Sequence, residues 1–130
     1  MAESAIELAT EFLAEGRAAW ERFEAAAAEG GLIMAEAGTA GGALETAFAL
    51  SPFVAQDCVR HPGMAVELLA SGDLETEYAP GGYTRRLAPL LAEAPAPTVG
   101  QEAWTTWLQA CLRRFRRREM VRIACRDLAG

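Results

Sequence analysis

The sequence predicts an all-α fold, an irregular bundle of five to six helices that closes on a long arginine-rich C-terminal helix. Three observations carry the prediction. Apolar residues recur at helical spacing, alanine and glycine are abundant while aromatics reach only 8%, and serine, proline and glycine stand where helices begin and end. No segment has the period-two alternation of a strand.

Residues 4 to about 29 predict a first helix, with Ser4 as N-cap and Glu7 completing a capping box. Ile6, Leu13 and Trp20, with Phe12 and Phe23 offset, form its apolar stripe. Glu3, Glu7, Glu11 and Glu15 follow at intervals of four along one ridge, the pattern of a solvated face rather than of a metal site. The glycine-rich tract Glu29–Leu44 lacks sustained periodicity and predicts a loop with one short helical turn around Leu32–Ala37. Ser51-Pro52 then sets a capping hydroxyl before a proline at the first helical position, and Phe53, Val54, Cys58 and Val59 supply the face of a short helix ending near Arg60. Ser51 has no histidine near it in sequence, so it is read as a cap and not as a nucleophile.

His61-Pro62 stops that helix, because the residue before proline is driven out of the α region, and His61 is read as a turn residue rather than a base. Met64, Leu68 and Leu69 continue as a second short helix, ended by a left-handed cap at Ser71-Gly72. A helix from about Gly82 to Glu93 carries Tyr83, Leu87, Leu90 and Leu91, with Pro89 as an internal flaw. Ala94–Gly100 reads as an extended linker, and Gln101 opens the last helix, whose Trp104 and Trp107 are expected in the core. At 130 residues the chain is expected to form a single helical domain, an acidic helix and loop over 1–43 followed by a helical region over 44–130.

Composition excludes several functions. No run reaches the roughly eighteen apolar residues of a membrane span, and acids stand near the N-terminus where a signal peptide would be basic. Cys58, Cys111 and Cys125 are odd in number and widely spaced, and His61 is the single histidine, so neither a disulfide framework nor a zinc site is indicated. The chain is read as soluble and cytoplasmic, with reduced thiols.

The charge is unevenly laid out. Net charge is −6, yet the seven arginines of Arg113–Arg126 face only Glu119 and Asp127 in the last twenty residues. The angular positions of Leu108, Leu112, Phe115 and Ile123 define an apolar stripe about 80° wide. Glu119 and Arg126 fall inside this stripe, with Arg116 and Asp127 on its edge, and Arg122 lies within one turn of both Glu119 and Arg126. Charges buried without partners cost several kcal/mol, so Arg116, Glu119, Arg122, Arg126 and Asp127 are the candidates for a buried ion-pair network or a phosphate-facing surface. Docking of another domain or protein is a third use for this face.

The order SPFVA, HP, SGDL, then YAPGGYTRRLAPLLAE, then RRFRRREMVRIACRDL resembles the N-terminal helical region of bacterial glutamine synthetase adenylyltransferase/deadenylase, over about residues 44–130. The resemblance implies a large enzyme of two nucleotidyltransferase halves that add AMP to glutamine synthetase and remove it. It further implies control by a PII signal protein and use of magnesium and nucleotide. The glycine-led turn and paired DxD acids of such halves have no counterpart in this chain. No catalytic residue carries over, no cofactor is expected in this chain, and inactivity is expected without a catalytic domain in cis. The alternative reading is a free-standing helical module that binds nucleic acid or another polyanion through Arg113–Arg126, which the acidic remainder of the chain disfavours.

Overall fold

The computed structural model describes residues 2–34 and 38–129. Among them are six α-helices and no strand: α1 (Ala2–Glu29), α2 (Gly38–Leu50), α3 (Pro52–Arg60), α4 (Pro62–Ser71), α5 (Gly82–Leu91) and α6 (Gln101–Ala129). Two 3-10 turns, Asp73–Glu75 and Pro97–Val99, lead into α5 and α6. The all-α expectation and the long arginine-rich final helix are therefore correct.

Local chemistry sets most boundaries. Ser51 Oγ accepts the Val54 N–H at 3.3 Å, and Pro52 occupies the first turn of α3. His61 alone separates α3 from α4, and Gly72 ends α4 in the left-handed conformation at φ 79°. Pro89 lies inside α5, which ends at Leu91, two residues short of the expected Glu93. The expected linker contains the Pro97–Val99 turn.

Other expectations need correcting. Helix α1 already begins at Ala2, so Ser4 lies within it and is not its N-cap. The end of the glycine-rich tract is not loop, because residues 38–44 belong to the helix Gly38–Leu50. Of the expected turn at Leu32–Ala37, residues 32–34 are irregular and 35–37 lie outside the described residues. Helix α2 has weak propensity but small side chains, and smallness is what its packing uses. A Cβ placed on Gly16 of α1 would lie 2.7 Å from the Ala49 Cα, so α1 and α2 approach closer than two alanines allow.

The core sits where α1 to α4 meet the C-terminal half of α6. Trp20, Phe23 and Phe48 form a T-shaped cluster with ring centroids 5.2 to 5.9 Å apart. Leu44, Val54, Cys58, Leu68, Val121 and Cys125 close around it with no exposed surface. Burial pushes the Cys58 thiol up to about 12 and Cys125 to about 11, which leaves both protonated and unreactive. The three cysteines are free.

Both long helices run past this core. In α1, Phe12 and Leu13 stay 50% and 66% exposed, so the helix is buried only from Gly16 onward. Its side chain at Ile6 lies outside the described residues. In α6, Trp104 is 38% exposed and Trp107 partly so, which removes the tryptophan pair from the core.

Candidate functional site: a buried ion lattice

The polar centre of the molecule lies where α6 crosses the 3-10 turn at Asp73 and the start of α5. Ser71 prepares it: its Oγ donates to the Leu68 carbonyl at 2.7 Å and accepts the Asp73 N–H at 3.1 Å. The turn after Gly72 thereby aims the Asp73 carboxylate at α5 and α6. Arg86 reaches both of its oxygens, Nη2 to Oδ1 at 2.9 Å and Nε to Oδ2 at 3.1 Å, in the two-pronged fit natural to guanidinium and carboxylate. Arg118 Nη2 donates to Oδ2 at 2.6 Å.

Arg118 is the hub. Besides Asp73, it holds Glu67 through Nε at 2.7 Å and Nη2 at 3.1 Å, and Glu119 through Nη1 at 2.8 Å. Burial alone would lower its pKa, but the bonds to Glu67, Asp73 and Tyr78 outweigh that and raise it. The Tyr78 hydroxyl bonds the two Glu119 oxygens at 2.7 and 2.9 Å. Burial, reinforced by the Glu119 carboxylate, pushes that phenol up to about 12. Asp73 moves the other way, to about 2, because Arg86 and then Arg118 stabilise its charged form against the cost of burial.

Tyr78 also organises the arginines by its ring. The Arg86 and Arg122 guanidiniums stack on it at 3.7 and 3.4 Å from the centroid. The approach depends on Gly82, where a Cβ would come within 2.7 Å of the Tyr78 Cβ. Arg122 then donates through Nε to the Asp73 carbonyl at 3.0 Å and through Nη2 to the Thr76 carbonyl, tying α6 to the backbone of the turn. Arg126 reaches the Leu74 carbonyl at 3.4 Å. Two guanidiniums, Arg86 and Arg118, thus meet three carboxylates, Asp73, Glu119 and the more exposed Glu67, while Arg122 bonds backbone carbonyls and stacks on Tyr78. Among the described residues no buried side-chain nitrogen or oxygen lacks a partner.

Of the residues singled out from sequence, Glu119 and Arg122 are buried in this lattice and Arg126 borders it. Arg116 and Asp127 are exposed and outside it. The expected stripe is also displaced: Leu112 and Ile123 are 42% and 50% exposed, while Cys111, Val121, Arg122 and Cys125 are buried. The buried face is therefore rotated by roughly 100° from the one drawn through the large aliphatics. Small thiols and valine fit a close helix contact, and arginine stems cover apolar surface while their heads find polar partners. Glu119 bonds Tyr78 and Arg118, not Arg116 or Arg122. Asp73, Tyr78, Arg86, Arg118 and Glu67 were missed. The one sequence signal for them was Gly-Gly ahead of Tyr83 and Arg86, where a backbone gap admits an aromatic ring.

The donor set does not fit magnesium. Each carboxylate is already bonded to Arg118, so a divalent cation would enter among guanidiniums, and no group of three or more His, Cys, Asp or Glu among the described residues is placed to hold a metal. Three cations of the arginine helix are likewise committed, since Arg118, Arg122 and Arg126 turn inward. No described helix is long and apolar enough to cross a membrane.

These features define an all-helical module organised around an internal ion lattice. Residues 41–130 match the family described as glutamate-ammonia ligase adenylyltransferase, and the chain belongs to that family. It is 44% identical over 80 residues to the bifunctional glutamine synthetase adenylyltransferase/adenylyl-removing enzyme of Nitrosococcus oceani, covering 62% of this chain and 7% of that protein. The enzymes of the same name from Pseudomonas aeruginosa and Shewanella loihica are 38% and 39% identical over 81 and 87 residues, 62% and 67% of this chain and 7% and 8% of theirs. The chain thus matches only a small part of the length of these relatives, in the N-terminal portion of the family. No solved structure matches. Every lattice residue lies within the matched segment, and all of α1 lies outside it.

Proposed function

We propose that residues 1–130 form one helical unit that serves as the N-terminal scaffold of an enzyme adding AMP to glutamine synthetase and removing it, in the control of nitrogen assimilation. The observation that carries this reading is the family match over the segment that contains the whole lattice. The lattice supports a scaffolding role, because its carboxylates are committed to arginines and none is left to hold metal or act as a base. Magnesium and nucleotide then belong to a catalytic domain supplied in cis, and glutamine synthetase and a PII signal protein are the partners of the whole enzyme. A cytoplasmic location accords with the free thiols.

On this reading the chain by itself neither adenylylates nor deadenylylates glutamine synthetase, which a radiolabelled-AMP assay measures in both directions. Residues 41–130 grafted in place of the matching segment of the Nitrosococcus oceani enzyme should preserve its activities. Turnover by the isolated chain, or a folded graft without activity, would overturn the proposal.

A further inference from the structure

A groove runs along α6 between α4 and α5, and the lattice residues Glu67, Asp73, Arg86 and Arg118 form part of its wall. Two adjoining hollows of about 470 and 480 Å³ make it up, sharing Glu67, Leu90, Phe115 and Arg118. Its floor is apolar: Met64 from α4, Leu90 from α5, and Cys111 and Phe115 from α6. Leu90 remains 37% exposed and Phe115 is only partly covered, with Leu91 and Leu112 exposed nearby at 37% and 42%. Apolar surface of this kind, bordered by charge, is the usual mark of a binding face.

The border has a sign. On the α6 wall Arg114 and Arg117 hold no carboxylate among the described residues, and neither do Arg113 and Arg116 beside them. Against them stand His61, Glu93 and Glu67, the last already engaged by Arg118. An excess of unpaired guanidinium beside an apolar trough, in a chain of net charge −6, calls for an anionic and apolar occupant. A trough walled by helices suits an amphipathic helix laid lengthwise.

We infer that this groove seats an acidic amphipathic helix, whose apolar stripe covers Leu90 and Phe115 and whose flanking carboxylates meet Arg114 and Arg117. Resting on the proposed function, its source is the rest of the adenylyltransferase polypeptide. All groove residues fall inside the family match, and in the Nitrosococcus oceani relative 93% of the polypeptide lies outside the matched segment. The helix would hold the scaffold to the body of the enzyme.

The test uses the intact chain and fluorescein-labelled twenty-residue peptides tiled across the Nitrosococcus oceani enzyme outside the matched segment, read by anisotropy. Acidic amphipathic tiles should bind. Arg114→Glu with Arg117→Glu, and separately Leu90→Asp, should weaken them by about tenfold or more, with high salt weakening them further. These positions are exposed or half-buried, and circular dichroism checks that each variant folds. Silence of every acidic amphipathic tile, or binding that ignores the substitutions, overturns the inference. Self-association that the arginine variants abolish would assign the groove to a second copy and overturn it as well. A graft that works while the tiles are silent discards the groove alone, whereas bound tiles with an inactive graft discard the functional reading.

Discussion

The two halves of the molecule are held together by different physics. Between α1, α2 and α3 the contact is apolar: Trp20, Phe23 and Phe48 edge against one another over small residues, and the Gly16–Ala49 approach sets the distance. Between the Asp73 turn, α5 and α6 it is directional: Arg86 and Arg118 hold the carboxylates of Asp73, Glu67 and Glu119, and Arg86 and Arg122 stack on the Tyr78 ring. Burial of apolar surface is tolerant of angle and supplies most of the stability. A buried charge lattice adds less net energy but admits one arrangement, because every unpaired charge is heavily penalised. The first half makes the bundle cohere, and the second orients α5 and α6 so that the groove between them exists.

Substitutions can break that contrast. The largest effect is expected for Phe23→Ala, which empties the centre of the aromatic cluster and should cost about 4 kcal/mol, measured by urea denaturation. A loss below about 1 kcal/mol would mean that the cluster is not the core. Next, Glu119→Ala leaves Arg118 and the Tyr78 hydroxyl short of a buried partner and should cost about 3 kcal/mol. Arg113→Ala and Arg117→Ala, made as controls outside the lattice on the same helix, should stay within about 0.5 kcal/mol. Equal midpoints for all three would show that the lattice is no stiffer than a surface.

The smallest effect is in pH. Asp73 titrates at about 2 in the fold, below the ordinary aspartate value near 3.9, so its contribution is fully present above pH ~4 and is lost as pH falls toward 2. Denaturation midpoints taken from pH 5 to pH 2 should fall over that window, and Asp73→Asn should flatten the fall. An unchanged acid limb in that variant would remove Asp73 from the account.

Much of the fold was legible because its boundaries are local chemistry. Ser51 before Pro52, His61 before Pro62 and Gly72 after Ser71 each act through backbone geometry within a turn, which no distant contact needs to supply. The family resemblance was legible for a related reason, since the residues that carry it include the words around Asp73, Tyr78 and Arg118. Sequence reasoning placed Glu119 and Arg122 among possible buried charges but assigned them the wrong partners. Helical angles report which residues share a face; they do not report which face meets a neighbour.

By itself, then, the sequence determined that this chain is helical, where most helices start and stop, that α6 concentrates the cations, and which family it resembles. Only the tertiary structure decided that Gly38–Leu50 is a helix, because its small side chains become an advantage only once α1 lies against them. Only it turned α6 by roughly 100°, to bury cysteine, valine and arginine stems in place of leucine and isoleucine. And only it joined Glu119 to Tyr78, residues 41 positions apart, since a buried charge settles by what surrounds it in space and not by what stands four residues along its helix.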